Sequence, residues 1–201
     1  MTETTQAAPR RRSPRGQGKA KVVEAAAQLF AEYGVSGTSL QAIAGKMGVT
    51  KAAVFHQFAS KEDIVLAVAA PVIAVLTSIA DTAQALPAEQ ARAAVVAGLV
   101  DLALSERGTA AIIKRDPIMA QTLDAHKPYT EQIARIDTLL LGPNPSVERR
   151  IAMMFTGGGI MALGALPELD VPPEQLRMGL IAAMSRALDA GAAPFLANDG
   201  G

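Results

Sequence analysis

The chain contains no cysteine and no tryptophan among its 201 residues. Without thiols there is no disulfide framework, no thiolate metal centre and no cysteine nucleophile, and a reducing cytoplasm is the expected setting. Histidine occurs only at His56 and His126. No His, Asp and Glu residues fall at metal-ligand spacing, and no glycine-rich loop links a strand to a helix. The expectation is therefore no catalysis, no metal and no cofactor. Aromatic residues make up only 3% of a chain that is 50% hydrophobic, so Ala, Leu, Ile, Val and Met must fill the interior, as suits helices. No strand-like alternation is present, and the expected fold class is all-α. The first residues carry no apolar run, so no signal peptide is expected. Two charge-free runs, residues 64–80 and 151–167, reach only the bottom of the length needed to cross a bilayer. Pro71 interrupts the first, Asp63 and Asp81 flank it, and neither run has a Trp or Tyr anchor. Both are expected to be buried core helices; a membrane-associated helical protein is the remote alternative.

Net charge is zero but uneven. Residues 1–63 hold nine Lys and Arg against five Asp and Glu, whereas residues 64–201 hold ten against fourteen. A basic head on an acidic body fits a polyanion-binding module joined to something else.

The chain divides accordingly. Residues 1–16 form a Pro/Arg-rich arm, expected to be disordered, with Arg10, Arg11, Arg12 and Arg15 placed to lie along phosphates or in a minor groove. Residues 17–60 read as three helices. Val22, Ala26, Leu29, Phe30 and Tyr33 make one apolar stripe that predicts a first helix over 17–33, ended by Gly34 as a left-handed cap. Thr38 and Gln41 suggest a capping box for the second helix, whose buried face is Leu40, Ile43, Ala44 and Met47. Gly48 supplies a turn, Thr50 caps a third helix running to Phe58, and Ser60 and Asp63 form a further box. Two short helices around a tight turn, the second basic and hydroxyl-rich, constitute a helix-turn-helix that places a helix in the major groove of DNA. Phe30, Tyr33 and Phe58 are assigned to packing in this small unit. Residues 61–190 follow as longer helices over about 61–85 (kinked near Pro71), 87–106, 128–141, 144–166 and 173–190, with one or two short ones broken at Pro117. Asn144-Pro145 reads as cap and first turn. Lys114-Arg115-Asp116 reads as solvent-facing, and residues 191–201 as a flexible tail.

The stretch Gln17–Ile64 resembles the DNA-binding domain of the TetR family of bacterial transcriptional regulators. The resemblance is carried by Leu29-Phe30-Ala31-Glu32-Tyr33-Gly34, Thr38-Ser39-Leu40, Ile43-Ala44, Gly48-Val49-Thr50, Val54-Phe55-His56-Gln57-Phe58 and Ser60-Lys61-Glu62. It implies an N-terminal three-helix domain and a larger C-terminal helical domain for effector binding and dimerisation. It further implies a homodimer on double-stranded DNA with a palindromic operator, usually a repressor released by a small-molecule effector. Carried over by position, Thr38 meets phosphate at the start of the second helix. Thr50, Lys51 and Ala52 open the recognition helix, Phe55 and His56 fill its paired aromatic positions, and Lys61 contacts phosphate. Phe55 stands where tyrosine is usual and Ala52 where glycine is frequent. Few bidentate base readers are present, so phosphate contacts and DNA shape are expected to carry much of the affinity. A transcriptional activator or a low-specificity structural DNA binder would use the same head.

For the C-terminal domain, effector-pocket candidates are Met119, Leu123, His126, Tyr129, Met153, Met154, Phe155 and Met161, because methionines adapt to apolar ligands. The expected dimer contact uses Gly158, Ala162 and Ala165 of the Gly-rich helix and the stripe Leu176, Leu180 and Met184 of the last, where small residues permit close helix approach.

Overall fold

The computed structural model describes residues 15–106, 116–162 and 171–190. Among them are nine helices and no strand: α1 (Arg15–Gly37), α2 (Leu40–Met47), α3 (Lys51–Phe55), α4 (Lys61–Gln84), α5 (Ala88–Ser105), α6 (Pro117–Asp124), α7 (Lys127–Leu141), α8 (Val147–Ala162) and α9 (Pro173–Ala190). The chain is an all-α protein with an N-terminal helix-turn-helix unit and a larger helical body.

The head is built around Phe30, Ile43, Val54 and Phe58, all buried. α1 packs on α2 and α4, and α2 on α3. Tyr33, assigned to packing from the sequence, instead lies 59% exposed; the polypeptide leaves helical geometry at the next residue, so the apolar stripe ends at Phe30. Gly34 has φ 73° and ψ 167°, a region essentially confined to glycine, and it breaks α1 as its position suggested.

Three boundaries differ from those the sequence suggests. Ser39, not Thr38, caps α2, accepting the Ala42 amide at 3.0 Å. Thr38 is drawn inward because its hydroxyl satisfies the Gly34 carbonyl freed at the α1 break, at 2.8 Å. α3 ends at Phe55 rather than Phe58, since Gln57 and Phe58 both turn back to the Val54 carbonyl. α8 begins at Val147, with Ser146 accepting the Arg149 amide at 3.2 Å; Asn144 has φ 51° and belongs to the preceding turn. The Gly48 turn (φ 66°), the Thr50 cap and the Ser60/Asp63 box fall where the sequence puts them, both bonds of the box measuring 3.0 Å.

The body is organised on α4, which packs on α5 and α7. By length and composition α4 is the one helix among the described residues suited to cross a membrane. Its Ile64, Val65, Val68, Val72 and Leu76 are buried in the protein core, and it continues through Pro71, whose ring is exposed. Arg135 of α7 reaches Asp81 and Gln84 near the end of α4, at 2.5 and 2.6 Å. α9 packs on α5 and α8. Arg177 grips Asp101 of α5 through two bonds of 2.6 and 2.9 Å, which hold the Asp101 carboxyl below its ordinary range.

Candidate functional site

The helix-turn-helix presents a continuous exposed face. Thr50 sits at the head of α3, its hydroxyl accepting the Ala53 amide at 3.3 Å. Lys51, Ala52, Phe55 and His56 are all exposed around it. Val54 is the inward anchor at 0% exposure, so α3 is fixed by one apolar side chain while its neighbours face out. The Lys51 ammonium lies 5.5 Å from the centre of the Phe55 ring. That contact orders a cation beside a flat apolar surface, a combination suited to a sugar–phosphate backbone. Lys61 occupies the first turn of α4 and is partly exposed. Thr38 does not share this face: at 2% exposure and with its hydroxyl used internally, its side chain cannot reach a phosphate. Ser39, exposed at the start of α2, is the hydroxyl available there. Sequence reasoning missed it although Ser39 directly precedes Leu40, the first residue of the apolar stripe. Arg10, Arg11 and Arg12 lie outside the described residues, as does the Arg15 side chain.

The second feature is a cavity of about 180 Å³ in the body. Val72 and Leu76 of α4 form one wall, and Leu99 and Leu102 of α5 another. Tyr129, Ile133 and Asp137 come from α7, Met153 and Gly157 from α8, and Met184 from α9. Of the seven pocket candidates whose side chains are described, Tyr129 and Met153 line it. Met119 and Leu123 are core side chains, 0% and 1% exposed, and Met154 and Phe155 point outward at 76% and 78%. His126 caps α7 through its backbone position and stays outside the lining. The Met161 side chain lies outside the described residues. The cause is helical phase: Met153 and Gly157 are four apart and face inward, and Met154 and Phe155 fall on the opposite side. Burial pushes the Asp137 carboxyl up, and it pushes the Tyr129 phenol up with help from the Asp124 charge.

Phase also divides the glycine triplet. Gly157 lines the cavity, whereas Gly158 and Gly159 join Val147, Ile151, Met154 and Phe155 on an exposed stripe of α8. On α9 the expected dimer residues face inward: Met184 is 4% exposed and Leu176 and Leu180 are half-buried. The outward stripe is instead Met178, Gly179, Ala182 and Ala183. Amphipathic spacing identifies an apolar stripe but not what it packs against, and the two stripes are therefore easily exchanged. Ala165 lies outside the described residues, as does the Ala162 side chain.

Between head and body sits Asp116, one of two buried polar residues among those described. Its Oδ2 accepts the Val35 amide of α1 at 2.6 Å, and its Oδ1 accepts the Ile118 and Met119 amides at 2.9 and 3.0 Å. One carboxylate thus caps α6 and holds the α1 break. This corrects the solvent-facing position expected of Asp116. The Asp-Pro pair at a helix start is a legible cap signal, but its partner lies 81 residues away.

Residues 22–68 match the sequence model of the bacterial regulatory proteins of the tetR family. No protein of curated function matches the chain in sequence. Among solved structures, a TetR-family regulator from Streptomyces coelicolor A3 superposes with a TM-score of 0.64 at 22% identity, covering 83% of this chain and 89% of that one. The ketosteroid transcriptional regulator KstR2 of Mycobacterium tuberculosis gives 0.63 at 16% identity, covering 92% and 98%. Mycobacterium smegmatis AmtR gives 0.58 at 20%, covering 94% and 92%. The resemblance to TetR-family regulators thus holds in sequence across the reading head and in fold across most of the chain.

Proposed function

Proceeding from a TetR-family head and fold, we propose that this chain is a sequence-specific transcriptional regulator: a cytoplasmic homodimeric repressor released from an inverted-repeat operator by a small molecule. The observation that carries the reading is the exposed face of Thr50, Lys51, Ala52, Phe55 and His56 on a helix anchored by Val54 and capped at its start. A recognition helix needs a rigid seat and a free surface, with hydroxyl and ammonium donors at its N-terminal end. Ser39 and Lys61 extend that surface towards the phosphates.

The release mechanism follows from α4. Its N-terminal turn carries Lys61, and Val72 and Leu76 of the same helix wall the cavity. Eleven to fifteen residues of helix separate them, about 16–22 Å. A ligand that displaces the cavity end of α4 swings Lys61 and the head with it. Two heads must sit about 34 Å apart to read successive half-sites, so a state with altered spacing binds DNA less well and the ligand shifts the population towards it.

Fluorescence anisotropy on the DNA immediately upstream of the chain's own gene, against a scrambled duplex, tests the reading. A preference of at least a hundredfold is expected; equal, salt-sensitive binding to both duplexes would instead mark a low-specificity DNA binder. Lys51→Ala is expected to weaken operator binding by about tenfold or more, given the strength of charge-assisted contacts. Lys61→Ala should reduce the slope of log K against log salt by about 0.9 for each phosphate that the lysine neutralises. Unchanged affinity and slope in both variants would remove these two lysines from the DNA interface. Removing residues 1–16 should weaken binding several-fold at low salt, and an unaltered isotherm would show that the arm does not touch DNA.

A further inference from the structure

The head is held to the body in two ways. The first is α4, on which α1 packs through buried apolar side chains. Apolar contact resists separation but has no preferred direction, so by itself it lets the head swivel on α4. The second attachment is directional. Asp116, at the start of α6, accepts the Val35 amide of α1 at 2.6 Å, and a hydrogen bond weakens steeply once its length or angle is lost. Among the described residues it is the hydrogen bond that joins the head to a helix other than α4. Both of its ends are fixed. The other carboxylate oxygen is tied to the Ile118 and Met119 amides at 2.9 and 3.0 Å. Val35 is fully buried, and beside it a Cβ on Gly34 would stand 2.8 Å from Asp116 Oδ2. The carboxylate is therefore a strut between the α1 break and the first turn of α6.

We propose that Asp116 determines which half-site spacing the protein accepts, by fixing the angle at which each head stands on its body. The inference rests on the reading of the chain as a dimeric operator-binding regulator. One turn of DNA spans about 34 Å and about 10 base pairs, so one inserted base pair moves a half-site by about 3.4 Å along the axis and turns it by about 35°. A head strutted to its body cannot follow both displacements without breaking the bond or bending α4. A head held by α4 alone can turn with the groove, because its apolar contacts slide. Asp116 is thus a positioning residue that touches no DNA. It acts on the spacing between half-sites, and the sequence within each half-site is left to α3.

Two substitutions remove the strut and keep the cap. In Asp116→Asn one side-chain oxygen remains for the Ile118 and Met119 amides, and the nitrogen that replaces the other can only donate, so it opposes the Val35 N–H. Asp116→Ser also caps a helix, with a side chain too short to serve both ends. Because the chain lacks cysteine, nitroxide labels at Gln41→Cys in the head and Ala134→Cys in the body, both exposed, report the head-to-body distance by pulsed electron resonance. Dilution with unlabelled full-length chain isolates the distance within one protomer. The parent should give one narrow distance, and both variants a distribution at least about twice as wide with unchanged helical content. One or two base pairs are then inserted at the centre of the operator duplex. Each should cost the parent about tenfold or more in affinity and the variants less than about threefold, while all three proteins bind a single half-site equally. Distributions as narrow in both variants as in the parent would overturn the proposal, as would broadened ones with the parent's full discrimination between spacings. Broadened distributions in a protein that selects no duplex over a scramble would remove the regulator reading, and the spacing role with it, and leave the strut.

Discussion

Asp116→Ala is expected to lower the unfolding free energy by about 2–4 kcal/mol, through loss of a helix cap and of charge-assisted bonds to buried amides. For a chain of this length that corresponds to a fall in melting temperature of roughly 4–16 °C. Two structures lose their tie at once. The first turn of α6 loses the acceptor for Ile118 and Met119, and the Val35 amide is left without the oxygen now 2.6 Å away. Asp116→Asn keeps an acceptor but removes the charge, and should show a smaller loss. Hydrogen exchange gives a readout that general destabilisation does not: protection at Val35 should drop further than at Ile64 in the core. Gly34→Ala attacks the same junction from the other side. A Cβ there would lie 2.8 Å from Asp116 Oδ2, on a residue already at φ 73°. It should also cost about 2–3 kcal/mol, mainly from the backbone region alanine avoids. Because Asp116→Ala clears the clash, the double variant should lose less than the two single losses combined. Strict additivity, or an Asp116→Ala protein within about 0.5 kcal/mol of the parent, would mean that the carboxylate does not join head to body.

That junction also shows where sequence reasoning stops. The helix-turn-helix is legible almost residue by residue because its signals are local. Gly48 needs φ 66°, and Ser60 and Asp63 satisfy each other's backbone amides three residues apart. The same locality explains the error at α2. Thr38 and Ser39 are both competent caps, and the choice is made by the Gly34 carbonyl, which becomes available only once α1 breaks. In the body the helices themselves are legible, and α9 over Pro173–Ala190 falls where expected. Their orientation is not. Helices four or five turns long with apolar residues on more than one side offer two credible stripes, and only tertiary packing decides which is covered. Met153 and Met154 are adjacent in sequence, yet one lines the cavity and the other is 76% exposed. The cavity is likewise out of reach, because five helices contribute to it and no single segment carries its pattern.

The choice between stripes carries the second large prediction. Phe155→Glu is expected to convert a dimer into a monomer at micromolar concentration and to weaken operator binding by at least a hundredfold. Phe155 and Met154, 78% and 76% exposed, stand with Val147 at 67% and Ile151 at 47% on one face of α8, continued by Gly158 and Gly159. A contiguous apolar face of this kind marks an interaction surface, and glycine there lets a partner helix approach closely. A glutamate in its centre would be buried without a counter-ion in a symmetric contact, and would appear twice. On the proposed dimer, operator affinity should fall with it, because two tethered heads bind their half-sites with the benefit of effective concentration and separated heads do not. The α9 stripes then discriminate. Met178→Glu, on the outward face at 57% exposure, should also split the dimer while leaving helical content intact. Met184→Glu, at 4% exposure in the protomer core, should unfold the protein instead. Sedimentation velocity with circular dichroism separates these results. A Phe155→Glu protein that remains dimeric would move the contact off α8, and a folded monomeric Met184→Glu protein would return it to the inward stripe.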